Sequence, residues 1–534
     1  MQYRSFCIVG GGSSGWMAAA TMKKAFPECE VSLIQPEGRN IIGVGESTLG
    51  HINRFFRFLG LHDKEWMPYC NATYKSSIAF KNFRTGEGER FQYPFGRIDR
   101  NDYRSDYMTF FELQVKYPHL YPPEEFARFF NPNTILAEEN KLTSDYISEE
   151  MRNWNFGQDT AYHMDSHKFG EYLQKKFPEV KVYTGNVINA TRGETGDVIT
   201  MNTDSGDRIM ADLYIDCTGF KSLILENMMG SKFISFNDVL FNDTAWSAKV
   251  EYSDRVIQMD NYTDCVAMSN GWIWNIPLWD RVGMGYVFSK KYLDPDIAQA
   301  EFMGYIAQRY SPKIADNADY RLINIRHGKR EKAWVNNVVG IGLAYGFLEP
   351  LESTGLMTTH ENLLYLVDSL KRRPITTKID IDSYNYTVDH AIESMKYFIA
   401  MHYLLSQRQD TKYWVDATQN TSMFSNHDLT QYMNDCLGWH SMLESRREYF
   451  QLYEGLRKNF WADNKFDGLI YIAAGQAYRP INEHSVDEAH FIFPRRKGEV
   501  ERVHQDWQRD RKAIYNQVSQ LPTHYEYLRD NIYG

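Results

Sequence analysis

Ser5-Phe6-Cys7-Ile8-Val9-Gly10-Gly11-Gly12-Ser13-Ser14-Gly15-Trp16-Met17-Ala18-Ala19-Ala20 reads as a short apolar strand, a glycine-rich turn and the start of an alanine-rich helix. Gly10, Gly12 and Gly15 fit GxGxxG. In that pattern the first glycine allows the tight turn, the second lets the backbone approach a pyrophosphate, and the third lets helix and strand pack closely. The helix N-terminus then offers free N–H groups to phosphate oxygens. A second apolar run, Val31 to Ile34, follows at the spacing of the next strand, and Val187 to Ala190, Leu213 to Asp216 and Val338 to Leu343 read as further strands. The acidic residue expected about 20 positions after the turn is absent. The strand ends Gln35-Pro36-Glu37, so Gln35 becomes the candidate for the ribose hydroxyls, with Glu37 able to reach back.

The fold class expected is therefore α/β, an FAD-binding, Rossmann-like module of the monooxygenase type. From about Pro374 the strand signals fade, and Val388, Ile392, Met395, Ile399 and Tyr403 recur at helical spacing. We expect residues 1–380 to form the FAD-binding module with inserted strands, and 381–534 a helix-rich substrate-side module. Three segments favour FAD over a nicotinamide: a second glycine-rich turn, Gly43-Val44-Gly45-Glu46-Ser47-Thr48, and two segments that resemble strands of FAD-dependent monooxygenase-type folds, Ala211 to Gly219 and Val339-Gly340-Ile341-Gly342-Leu343. With a single strand-framed GxGxxG there is no separate NADPH site, so reduced flavin is expected from a partner reductase.

The chain has 534 residues, 15% of them aromatic, and a formal charge of −10. That charge, with no long basic run, disfavours a nucleic-acid partner. No apolar run reaches the length of a membrane span and the start is too brief for a signal peptide, so a cytoplasmic location is expected. Six scattered cysteines without CxxC or paired histidine spacing are expected to be reduced core thiols, with no metal site. Homo-oligomer formation is left open.

Three motifs point to a chemistry. Trp272-Ile273-Trp274-Asn275-Ile276-Pro277 puts two indoles on one face of a strand, as a wall or as plain core packing. Phe347-Leu348-Glu349-Pro350-Leu351-Glu352-Ser353-Thr354-Gly355 precedes an apolar-periodic helix that Ser353 or Thr354 can cap, with Lys371 to Arg373 suiting its negative end. Such an N-terminus is a small anion site or simply a capped helix. In Tyr74-Lys75-Ser76-Ser77-Ile78-Ala79-Phe80, a continuous strand would put Thr73, Lys75, Ser77 and Ala79 on one face. Lys75 would then project from small residues with room around it, or lie exposed.

In this order the motifs resemble those of the flavin-dependent tryptophan halogenases, and further matches run to Leu521-Pro522-Thr523, over nearly the whole chain. The resemblance implies that FADH2, O2 and a halide (chloride, bromide or iodide) yield hypohalous acid. It implies that Thr354 and Gly355 hold the halide, that Trp272 and Trp274 keep the organic substrate from the flavin, and that Lys75 and Glu352 are catalytic. It also assigns Gly10, Gly11, Gly12, Ser14, Gly15, Gln35, Val44, Glu46, Ser47, Val187, Leu343 and Leu356 to the cofactor. Tyr93, Phe95, Phe450 and Trp461 become the aromatic substrate contacts. Two positions depart from the family: Leu456 stands where an acidic residue would pair with the amino group of tryptophan, and Tyr93 replaces a ring-stacking histidine. An indole-like or phenolic substrate is therefore expected rather than free tryptophan. The competing readings are a flavin-dependent aromatic monooxygenase and a non-catalytic FAD-binding protein.

Overall fold

Parallel pairing of Ser5–Val9 with both Glu30–Gln35 and Leu213–Asp216 sets the centre of a six-stranded sheet. The computed structural model describes residues 3–38, 45–96, 107–420, 422, 465–478 and 498–534. The sheet order is Trp334–Val335, Val338–Gly340, Leu213–Asp216, Ser5–Val9, Glu30–Gln35, Lys181–Thr184, with only Trp334–Val335 antiparallel to its neighbour. The buried run Phe6 to Val9 suits a strand covered on both faces. The helix Ser13–Ala25 covers one side; the alanines at 18 to 20 let it sit close and are fully buried. Val187 does not extend this sheet. It opens Val187–Arg192, in a three-stranded antiparallel sheet with Val198–Thr203 and Arg208–Ile209.

A second layer is a seven-stranded sheet of order Arg321–Asn324, Thr244–Val250, Val282–Phe288, Gly271–Pro277, Tyr262–Met268, Ser77–Lys81, Arg90–Pro94. Tyr262–Met268, Gly271–Pro277 and Val282–Phe288 are buried along nearly their whole length, Thr263, Asp264 and Asn275 included, so they cannot show the polar alternation of a solvated sheet.

The expected continuous strand around Lys75 is broken. Thr73–Lys75 pairs antiparallel with Ala161–Met164, whereas Ser77–Lys81 pairs with Tyr262–Met268 and Arg90–Pro94. The chain changes sheets at Ser76, whose N–H and hydroxyl both donate to the carbonyl of Asn261 (2.8 and 3.1 Å). Lys75 therefore does not share a face with Ser77 and Ala79.

Helices dominate after Gly346. Thr354–Lys371 is followed by Lys378–Leu404, which buries Val388, Ile392, Met395, Ile399 and Tyr403 as their spacing predicts. Lys465–Gly475 and Glu499–Val518 follow among the described residues. One hydrophobic core runs from Phe6 through Trp272 to Trp507, so the sheets and the later helices share an interior. Five of the cysteines are free and buried, and Cys436 lies outside the described residues. No helix of the described residues is long and apolar enough to cross a membrane.

Candidate active site

The glycine turn is built for a close ligand. Gly10 has φ +113°, and a Cβ there would fall 2.4 Å from the carbonyl oxygen of Cys217; one at Gly15 would fall 1.8 Å from that of Gly10. Gly12 occupies the N-cap of Ser13–Ala25 with no side-chain cap, and its Cβ position meets nothing within 4 Å, so the first-turn N–H groups face open space. Gln35 Oε1 is buried without a hydrogen-bond partner and leans over Gly11, 2.2 Å from where a Cβ would sit. A buried acceptor left unpaired at the end of this strand is what a ribose hydroxyl would satisfy. Ser14 Oγ lies 3.4 Å from Thr359 Oγ1 on Thr354–Lys371, and Gly342, with φ +61°, approaches Ser14 from the turn after Val338–Gly340. Thr359 and Gly342, near Leu356 and Leu343 in the chain, thereby meet Ser14 beside the turn. Val187 packs in the same small core as Ile34, beside the strand carrying Gln35. Asp216 is not free for a ligand: its carboxylate accepts from Thr218 N and Oγ1, Ile224 N and Leu225 N at 2.7 to 2.9 Å. These features fit a dinucleotide cofactor. Val44 lies outside the described residues.

Lys75 has neither the room nor the exposure expected of it. It is fully buried, and its ammonium donates to Ser353 Oγ (2.7 Å), Ser47 Oγ (2.8 Å) and the Thr48 carbonyl (3.1 Å), with the Phe95 ring centroid 5.0 Å away. The change of sheets at Ser76 turns the side chain inward, toward the residue that opens Thr354–Lys371. Burial pushes its pKa down to about 7, against the opposing charge of Glu352. Ser353 adopts a left-handed φ of 57° at the N-cap, but it does not cap the helix as the sequence suggested, since its hydroxyl accepts from Lys75 and donates to Ser47 (2.9 Å). The Thr354 hydroxyl contacts the Glu349 carbonyl (3.4 Å) instead. With no side-chain cap on this helix, its first-turn N–H groups remain available to an anion. Ser47, assigned to the cofactor, has its hydroxyl engaged by Lys75, Ser353 and Thr263.

Glu352 is buried, with Oε1 2.7 Å from His402 Nε2. His402 Nδ1 faces the Phe398 carbonyl at 3.0 Å, an atom that only accepts, so Nδ1 carries a proton. The 2.7 Å contact between Nε2 and Oε1 therefore makes Glu352 and His402 a hydrogen-bonded pair at this site.

Trp272 and Trp274 share a face of Gly271–Pro277 with ring centroids 6.1 Å apart, and the absent side chain of Gly285 leaves the space that the Trp274 ring fills. Trp272 Nε1 donates to Glu349 Oε2 (2.9 Å), which also accepts from Asn242 (2.8 Å) and Tyr403 (3.0 Å). Burial holds the Glu349 carboxyl above its ordinary range. Trp274 Nε1 is buried and unpartnered. Glu349 and His402 stand in segments the sequence flagged, but their roles depend on partners from other segments. Tyr93 packs beside Phe398 and Tyr471 (centroids 6.2 and 5.7 Å). Phe450, Leu456 and Trp461 lie outside the described residues.

The family model described as tryptophan halogenase matches residues 5–486. The chain is 32% identical over 472 residues to the tryptophan 6-halogenase SttH of Streptomyces toxytricini, covering 84% of this chain and 86% of that one. It is 31% identical to the 7-chloro-L-tryptophan 6-halogenase KtzR of Kutzneria sp. (strain 744), over 98% of each. Among solved structures, VirX1 in its apo form superposes over the whole of both chains with a TM-score of 0.87 at 43% identity. With the glycine cradle, the buried lysine and the paired tryptophans in place, the chain belongs to the tryptophan halogenase family and is a flavin-dependent halogenase.

Proposed function

We propose that the protein uses FADH2, O2 and a halide to halogenate an electron-rich aromatic, indole-like or phenolic, rather than free tryptophan. The observation that carries the site assignment is the contact between Lys75 and Ser353, which gathers Lys75, Glu352 and the Thr354–Gly355 amides at one point. Bound reduced flavin, supplied by a separate reductase, would turn the halide into hypohalous acid. Gly10, Gly11, Gly12, Ser14, Gly15, Gln35, Leu343 and Leu356 would hold it.

The first-turn amides at Thr354 and Gly355 would hold the halide. Glu46 Oε2 lies 3.9 Å from the Cβ position of Gly355, and burial raises its pKa, which lessens the charge it would set against an anion there. Trp272, fixed through Glu349, and Trp274 would separate this chamber from the aromatic substrate. Lys75 would direct the oxidant. To do so it exchanges one hydrogen bond, which Ser353 and Ser47 can absorb because they already bond each other. Glu352, paired with His402, would accept the proton leaving the halogenated ring. Residues 381–534 would supply the substrate side, with Phe398 and Tyr471 joining Tyr93 and Phe95. Leu456 is uncharged where the family pairs an amino group, and this favours a substrate without an amino-acid head.

The test is mass spectrometry of an indole and phenol panel incubated with enzyme, FAD, NADH, a flavin reductase and each halide in turn. Halogen-mass products, with free tryptophan a poor substrate, are expected. Oxygenated products regardless of halide would overturn the reading.

A further inference from the structure

A chain of short hydrogen bonds leads away from Lys75 through residues other than Glu352 and its partner His402. Lys75 Nζ donates to Ser47 Oγ at 2.8 Å, Ser47 Oγ lies 2.8 Å from Thr263 Oγ1, and Thr263 Oγ1 lies 2.8 Å from His163 Nε2. All four residues are buried. The donor directions follow from the far end. The Thr73 hydroxyl donates to the Pro277 carbonyl (2.6 Å), so towards His163 Nδ1, 3.4 Å away, it acts as acceptor. Nδ1 then carries the imidazole proton and Nε2 accepts from Thr263. Thr263 in turn accepts from Ser47, which already accepts from Lys75 and Ser353. Every bond runs from Lys75 towards His163.

We propose that Ser47, Thr263 and His163 are a proton relay that takes a proton from the Lys75 ammonium and returns it, so that Lys75 can act as an amine while hypohalous acid is present. This rests on the reading of Lys75 as the halogen-directing residue. The ammonium proton passes to Ser47, that of Ser47 to Thr263, and that of Thr263 to His163 Nε2, which leaves an amine and an imidazolium. The amine nitrogen forms a bond to halogen as the O–X bond breaks, and its displaced proton joins the hydroxide to give water. Return of the imidazolium proton makes the nitrogen cationic. The N–X pair then stays on nitrogen as the arene carbon takes X⁺, the ring proton goes to Glu352, and passage of that proton to the amine resets Lys75.

The surrounding charges suit a single shared proton. Lys75 faces Glu352 and the Cys265 thiol, which burial keeps neutral; His163 faces Lys75 and His524, which burial holds at about 4; and the neighbouring strand carries Glu46, raised by burial. Burial and the Lys75 charge keep His163 neutral at rest. Once the proton has moved, the Lys75 share of the opposition to an imidazolium is gone, while the larger cost of burial remains and keeps the protonated His163 short-lived.

Thr263→Val cuts the relay without touching Lys75, and Thr263→Ser restores it. Single-turnover bromination of indole by each enzyme, with pre-reduced FAD and methionine added to scavenge released hypobromous acid, should fall about tenfold in Thr263→Val at pH 6 and converge on the wild-type rate by pH 9, where Lys75 is already neutral. Thr263→Ser should match wild type. His163→Gln serves as a second break and should give the same pH dependence. In cofactor-free enzyme, ¹⁵N-histidine spectra assigned with that variant should show His163 as the neutral Nδ1–H tautomer at pH 7, its Nε2 signal shifting in Thr263→Val. A loss equal at all pH values, or none, with Lys75→Ala inactive, overturns the relay alone. Bromination that persists in Lys75→Ala overturns the underlying reading of Lys75.

Discussion

Lys75 Nζ lies 2.7 Å from the hydroxyl of Ser353, the residue that opens the helix Thr354–Lys371, although the two are 278 positions apart. A buried ammonium is thereby tied to the helix end where the sequence places the halide. It is also a cation without a carboxylate within salt-bridge distance among the described residues, a costly arrangement that functional sites tolerate.

That cost predicts a stability effect. The folded pKa of Lys75 is lowered, so the charged form is disfavoured on folding; the penalty is complete below about pH 7 and disappears as pH rises to the ordinary lysine value of 10.5. Lys75→Met should therefore raise Tm at pH 6, with the gain shrinking toward pH 10. Each pKa unit corresponds to about 1.4 kcal/mol, from which the lost hydrogen bonds to Ser47, Thr48 and Ser353 subtract. Thermal melts across pH would expose an error if the variant were less stable at pH 6.

Gly15→Ala should abolish FAD binding, because its methyl would overlap the Gly10 carbonyl at 1.8 Å. Gln35→Ala should instead weaken binding about tenfold, the worth of one hydrogen bond to a buried acceptor. Flavin fluorescence titration separates the two outcomes, and unchanged affinity in Gly15→Ala would place the cofactor elsewhere.

Trp272→Phe removes one of three donors from Glu349 Oε2, and should cost about 1–3 kcal/mol in urea unfolding. A neutral result would mean that the indole N–H does not anchor the wall.

Glu352→Gln keeps the shape of its contact with His402 but no longer takes up a proton. Product formation should fall by about 10² with flavin affinity unchanged. Equal rates would remove Glu352 from proton transfer.

What the sequence made legible was local. The strand, glycine turn and helix at Ser5 to Ala25, the two indoles of Gly271–Pro277 and the helix after Gly355 each follow from short-range spacing, and each stands as read. The surroundings of Lys75 were not legible, because they depend on a change of sheets at Ser76 and on partners 28 and 278 positions away. Alternation alone put Lys75 on an open row. For the same reason Ser353 read as a cap: a serine before a helix usually spends its hydroxyl on that helix, and only tertiary structure brings a lysine to compete for it. Glu349 and His402 lay inside recognised segments, yet their partners Trp272 and Glu352 come from 77 and 50 positions away.

The most direct measurement is halogen incorporation into indole by Lys75→Ala beside wild type, with bromide, pre-reduced FAD and methionine to scavenge free oxidant. Brominated indole from wild type and none from Lys75→Ala, with flavin affinity intact in both, is the predicted result. Equal bromination by the two enzymes would contradict the assignment of Lys75 as the residue that directs the halogen.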